Sequence, residues 1–85
     1  IGLVNRVAEP EALLEETGAI MRKIVANGPI ALRAAIECVT RGMETALDDG
    51  LAMESNFFGL LAATEDMREG MTAFLEKRPP EFRGR

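Results

Sequence analysis

A chain of 85 residues supports one domain at most, with a core only just large enough to hold itself together. Hydrophobic residues make up 47 % of it but aromatics only 5 %, with no Trp or Tyr, so any core has to be built from Leu, Ile, Val, Met and Ala packed between helices. The formal net charge of −4 argues against a general electrostatic grip on nucleic acid, because that affinity comes from neutralising phosphates with Lys and Arg.

The chain opens Ile1-Gly2-Leu3-Val4-Asn5-Arg6-Val7, without Met, and runs at once into strand-like residues, so a start in mid-domain is expected. Leu3 to Val7 alternates around Asn5 and predicts a short strand closed by Ala8-Glu9-Pro10. No other segment has strand character, so its hydrogen-bonding partner is expected outside these residues.

Four helices are predicted next. Pro10 suits a first helical turn, and Leu13, Leu14, Thr17, Ile20, Met21, Ile24 and Val25 form one stripe of a helix from Pro10 to Ala26. Asn27-Gly28 ends it, and Pro29 starts a second helix that runs to Arg41 or Glu44 with Leu32, Ile36, Val39 and Met43 inward. A third spans Ala46–Asp49 to Ala63, with more apolar circumference than one neighbouring helix can cover. Gly50 and Gly59 each forfeit about 1 kcal/mol of helix propensity there, which suggests close backbone approach. Thr64 is the expected N-cap of the fourth, Glu65 and Asp66 face its dipole, and Pro79-Pro80 cannot extend it.

Charge is distributed unevenly. Residues 1–76 carry 6 basic and 13 acidic groups, whereas residues 77–85 carry Lys77, Arg78, Arg83 and Arg85 against Glu81. The end of the chain therefore reads as an anion-seeking tail on an acidic body.

Several chemistries are missing. Without His, neither a Ser-His-Asp nor a Cys-His arrangement is possible, and no ordinary donor set exists for zinc; no metal site is expected. The glycines lie within helices and form no phosphate loop. Cys38 stands alone, reads as a small apolar filler, and favours a reducing, cytoplasmic setting. No apolar run approaches the roughly 18 residues of a membrane span, and no signal-peptide pattern is present. Ser55 lies in Glu54-Ser55-Asn56 inside a helix, which excludes an acyl carrier protein whose prosthetic-group serine would stand at a helix start.

The order of Ile1-Gly2-Leu3-Val4-Asn5-Arg6-Val7, Ala26-Asn27-Gly28-Pro29 with Ala31-Leu32-Arg33, and the stretch from Thr64-Glu65-Asp66-Met67-Arg68-Glu69-Gly70 through Phe74-Leu75-Glu76-Lys77-Arg78-Pro79-Pro80-Glu81-Phe82 resembles the C-terminal third of the enoyl-CoA hydratase (crotonase) family. The resemblance implies a mainly α segment of an α/β crotonase spiral, with residues 1–8 as the last strand of an upstream core and 9–85 as a helical segment for trimerisation and acyl-CoA cover. In that family two upstream glutamates direct water onto the double bond and two backbone N–H groups hold the thioester oxygen. No position here matches those groups, so no catalytic residue is assigned and the 85 residues alone are expected to be inactive.

By position Phe58 resembles the aromatic that packs near the CoA of the adjoining subunit, and Lys77 the basic residue near its phosphates or adenine. Arg78 is a weaker candidate for the same anion. The plainer readings are core packing for Phe58 and a C-terminal helix cation for Lys77. The implied partners are acyl-CoA as substrate, with coenzyme A as part of it and no separate cofactor, the upstream core, and further copies in a homotrimer or dimer of trimers, with neither nucleic acid nor membrane. An alternative reading is a free-standing helical interaction domain that binds an acidic partner through residues 77–85.

Overall fold

Two prolines set the first helix starts in the computed structural model, which describes residues 1–85. Pro10 opens a single 3-10 turn, Pro10–Ala12, closed by a 2.9 Å hydrogen bond from the Ala12 amide to the Glu9 carbonyl. Helix α1, Leu13–Val25, continues from it. At its end Asn27 Nδ2 donates to the carbonyls of Lys23 at 3.0 Å and Ile24 at 3.1 Å, which satisfies acceptors that a helix terminus leaves open. Gly28 precedes α2, Pro29–Gly42, with Pro29 at the first position, where its missing amide costs nothing.

Helices α3, Leu47–Leu61, and α4, Glu65–Glu76, are joined through one hydroxyl. Thr64 Oγ1 donates to the Leu61 carbonyl at 2.7 Å and accepts from the Met67 amide at 3.1 Å, so it closes α3 and caps α4 together. The third helix consequently stops two residues before the expected Ala63. Of its two glycines, Gly50 does sit against backbone, since a Cβ there would lie 3.7 Å from Gly42 Cα. A Cβ at Gly59 would meet nothing within 4 Å, so the close approach expected there does not occur within this chain.

The expected N-terminal strand is absent. Leu3 to Val7 is irregular and exposed, with an ion pair from Arg6 Nε to Glu16 Oε2 at 2.7 Å. A strand's backbone groups need a second strand, and these residues have none beside them. The segment is therefore all-helical.

The helices do not enclose a core of their own. Only α2 and α3 pack extensively, and the radius of gyration is 16.0 Å, against about 12 Å for a compact chain of this length. Four residues are buried, Gly28, Ala34, Asp66 and Ala73, and none is a large hydrophobe. The α1 stripe predicted from periodicity is amphipathic as expected, yet Leu14 is 86 % exposed and no α1 residue is buried. Exposed apolar surface of this extent is unusual for a monomeric domain. Expressed alone, the chain should self-associate or melt without cooperativity; sedimentation velocity showing a monomer with a sharp thermal transition would contradict this.

Candidate functional site

Helix α4 presents Asp66 and Glu69, three residues apart and so on one face, to the returning tail. The tail leaves the helix through Lys77, whose left-handed backbone (φ 54°, ψ 42°) lets its own amide reach the Phe74 carbonyl at 3.2 Å and the Arg78 amide reach the Ala73 carbonyl at 3.0 Å. This paired closure is most often built on glycine, since side chains disfavour that conformation. Residues 79–85 then run back along α4.

Both carboxylates hold that return. Asp66, 6 % exposed, accepts the Arg83 and Gly84 amides, each at 2.8 Å, while its own amide donates to the Arg85 backbone oxygen at 2.8 Å. Glu69 accepts Arg78 Nη1 at 2.6 Å and Nη2 at 3.1 Å, and the Glu81 amide at 2.9 Å. Between them Phe82 lies over Gly70, where a Cβ would come within 3.4 Å of the ring, and touches the space beside Gly28. The reading of Asp66 as a solvated carboxylate facing the helix dipole is thus corrected: it is a buried clamp.

Electrostatics follow from the contacts. The Arg78 hydrogen bonds, and after them the Glu81 amide, hold the Glu69 carboxyl down to about 2 from an ordinary 4.5. Arg78 is pushed above its usual range, chiefly by Glu69 and then by Glu76, whose Oε2 accepts Arg78 Nε at 2.6 Å. Arg85 Nε pairs with Glu65 Oε2 at 2.9 Å. The tail is therefore not the free cationic arm expected from its composition: two of its four cations are paired to α4, and Lys77 and Arg83 make no ion pair. Of the cations the interaction-domain reading would present to an acidic partner, Arg78 and Arg85 are thus already paired within the chain.

Phe58 and Lys77 do not meet in one cavity. Phe58 is 63 % exposed on α3 at the edge of an open apolar groove of about 450 Å³ between α2 and α3, with Ala34, Cys38, Leu51 and Phe57 among its walls. Cys38 there is a half-buried wall residue, as its surroundings in sequence suggest. A second groove of about 500 Å³ runs between the start of α2 and α4, lined by Ile30, Leu61, Met67, Met71, Phe74 and Phe82. Lys77 lies beyond it, exposed, past the end of α4. Sequence reasoning missed Asp66, Glu69 and Phe82; the only signal for them was two carboxylates at three-residue spacing upstream of a proline-turned tail. No helix is long and apolar enough to cross a membrane.

Comparison with known proteins places this architecture. The family model described as enoyl-CoA hydratase/isomerase matches residues 1–85. The crotonyl-CoA hydratase of Syntrophomonas wolfei subsp. wolfei is 46 % identical over 82 residues, covering 96 % of this chain and 32 % of its own length. The 2,3-dehydroadipyl-CoA hydratase of Escherichia coli (strain K12) is 45 % identical over 84 residues, covering 99 % and 33 %. A crystal structure of enoyl-CoA hydratase from Bacillus anthracis matches with a TM-score of 0.93 at 40 % identity, over 99 % of this chain and 33 % of that one. The chain thus spans about a third of the length of these relatives, and the matched part is their C-terminal third.

The tail clamp has a defined acid limit. Because the native pKa of Glu69 lies below its ordinary value, its contribution is complete above about 4.5 and is lost as pH falls through about 2. An NMR titration of the protein should show the Glu81 amide following a carboxylate with a midpoint near 2; a midpoint near 4.5 would show that Glu69 does not hold the tail.

Proposed function

We propose that this chain, which belongs to the enoyl-CoA hydratase/isomerase family, is the C-terminal segment of an enoyl-CoA hydratase that adds water to 2-trans-enoyl-CoA to give 3-hydroxyacyl-CoA, as in fatty-acid oxidation. The observation that carries this reading is the match along almost the whole chain, at 46 % and 45 % identity, to proteins named as hydratases of CoA thioesters. Those two names carry different acyl groups at nearly equal identity.

The segment's own work is to close the acyl-CoA site and to join subunits, in a homotrimer or a dimer of trimers in the cytoplasm. Support comes from the apolar side chains the chain leaves open: Phe74 is 82 %, Leu75 79 % and Leu60 68 % exposed. Full burial of each contributes about 1.5–3 kcal/mol, so covering even a few of them supplies an assembly with substantial stability. Gly59 fits the same picture, because a helix glycine that nothing in its own chain approaches is explained by close approach of another chain or an upstream core.

Lys77 is a cation available for the phosphates of coenzyme A, and Phe58 an exposed aromatic available to pack beside it in a neighbouring subunit. Neither does chemistry on the double bond. The catalytic glutamates belong to the upstream part of the enzyme, and here the protein supplies binding and exclusion of water.

Two outcomes follow. The 85 residues purified alone should not hydrate crotonyl-CoA, and turnover by contaminant-free material would overturn the assignment of chemistry to upstream residues. In the complete enzyme Lys77→Ala should raise KM for crotonyl-CoA about two- to fivefold, the range of an exposed charge pair, with the effect fading in high salt. Lys77→Gly should weaken binding equally while stabilising the fold by about 1 kcal/mol through its left-handed position. Unchanged KM at low salt would leave Lys77 with a structural role only.

A further inference from the structure

We infer that Glu69 and Arg78 are positioning residues that fix the backbone at Lys77 and keep its ammonium uncommitted; this rests on the proposed contact between Lys77 and coenzyme A. The geometry supports the positioning in three ways. Arg78, immediately after Lys77, has Nε on Glu76 and Nη1 and Nη2 on Glu69, and Nη1 also reaches the Pro79 carbonyl at 3.3 Å. Glu69 holds the Glu81 amide as well, so the turn 78–81, stiffened by Pro79-Pro80, is closed at both ends on one carboxylate. Lys77, in a backbone conformation that Lys disfavours, is thereby locked from its C-terminal side while the helix closure locks it from the other.

The same contacts decide which cation is free. Glu69 and Glu76, the carboxylates flanking the turn, are both engaged by Arg78, and Lys77 has no carboxylate partner in the chain. Arg78, by contrast, sits between two carboxylates with its donors satisfied. The local charge of that trio is net negative, which makes Arg78 a poor direct ligand for phosphate. A bidentate arginine–carboxylate pair also holds orientation in a way a lysine could not.

Simple electrostatics and positioning predict opposite signs for Glu69→Gln. Removing a negative charge beside a phosphate site should tighten CoA binding if charge alone mattered, and should weaken it if the carboxylate orients the turn. In the complete enzyme, Glu69→Gln and Arg78→Lys are each expected to raise KM for crotonyl-CoA about as much as Lys77→Ala, roughly two- to fivefold, with kcat unchanged. The kinetics with crotonyl-pantetheine, which lacks the nucleotide phosphates, should not change, and adding either substitution to Lys77→Ala should cost nothing further. If Lys77→Ala weakens CoA binding but Glu69→Gln tightens it or leaves it unchanged, the positioning role is overturned while the CoA contact stands. Wild-type KM in Arg78→Lys would likewise overturn it, since a point charge would then suffice. If Lys77→Ala itself has no effect, the CoA contact fails and the inference fails with it.

Discussion

Two carboxylates on one face of α4 determine how the chain ends. Asp66 gathers the amides of Arg83 and Gly84, and Glu69 the Arg78 guanidinium and the Glu81 amide, so nine residues that could have been a loose arm become a strap laid along the helix. The strap in turn carries Phe82 over Gly70 and toward Gly28, which ties the start of α2 to the tail across more than fifty residues of sequence. Without those carboxylates the amides of Glu81, Arg83 and Gly84 would lose the acceptors they have in the chain. A buried Asp is ordinarily costly, and the two backbone amides that donate to its carboxylate oxygens offset that cost.

Outside this strap the structure is held by local rules more than by burial. Prolines at two helix starts, the Asn27 side chain on the last carbonyls of α1, and the Thr64 hydroxyl shared by α3 and α4 fix where each helix begins and ends. None of these contacts supplies the apolar burial on which a domain's stability mainly depends. The exposed faces of α1, α3 and α4 are consistent with a piece whose hydrophobic partners lie in an upstream core and in neighbouring subunits. That is the same arrangement the proposed role requires: a helical layer that excludes water from an acyl-CoA site by packing against protein, with its charged end left at the rim.

Much of the local structure was legible in the sequence because its causes are local. Pro10, Pro29 and Thr64 mark helix starts through chemistry confined to one turn, and the 3.6-residue periodicity of α1 was right about amphipathicity. What failed had non-local causes. Leu3 to Val7 has the composition of a strand but nothing beside it to pair with. Summed charge does not describe the tail, because structure depends on which groups meet: the Arg78 guanidinium reaches Glu69 nine residues away, and the Arg83 backbone amide donates to Asp66 seventeen residues away. Gly50 and Gly59 look alike in sequence, and only the position of Gly42 distinguishes them. Family resemblance supplied what periodicity could not, the membership of the whole chain in one family, since the match spans residues 1–85.

A structure of the complete enzyme with a bound CoA thioester tests the central claim most directly. The account predicts that the tail remains clamped on Asp66 and Glu69, that Phe74 and Leu75 are covered by protein, and that the Lys77 ammonium lies within ion-pair reach of a coenzyme A phosphate. A solvent-facing α4 with Lys77 turned away from the nucleotide would contradict it.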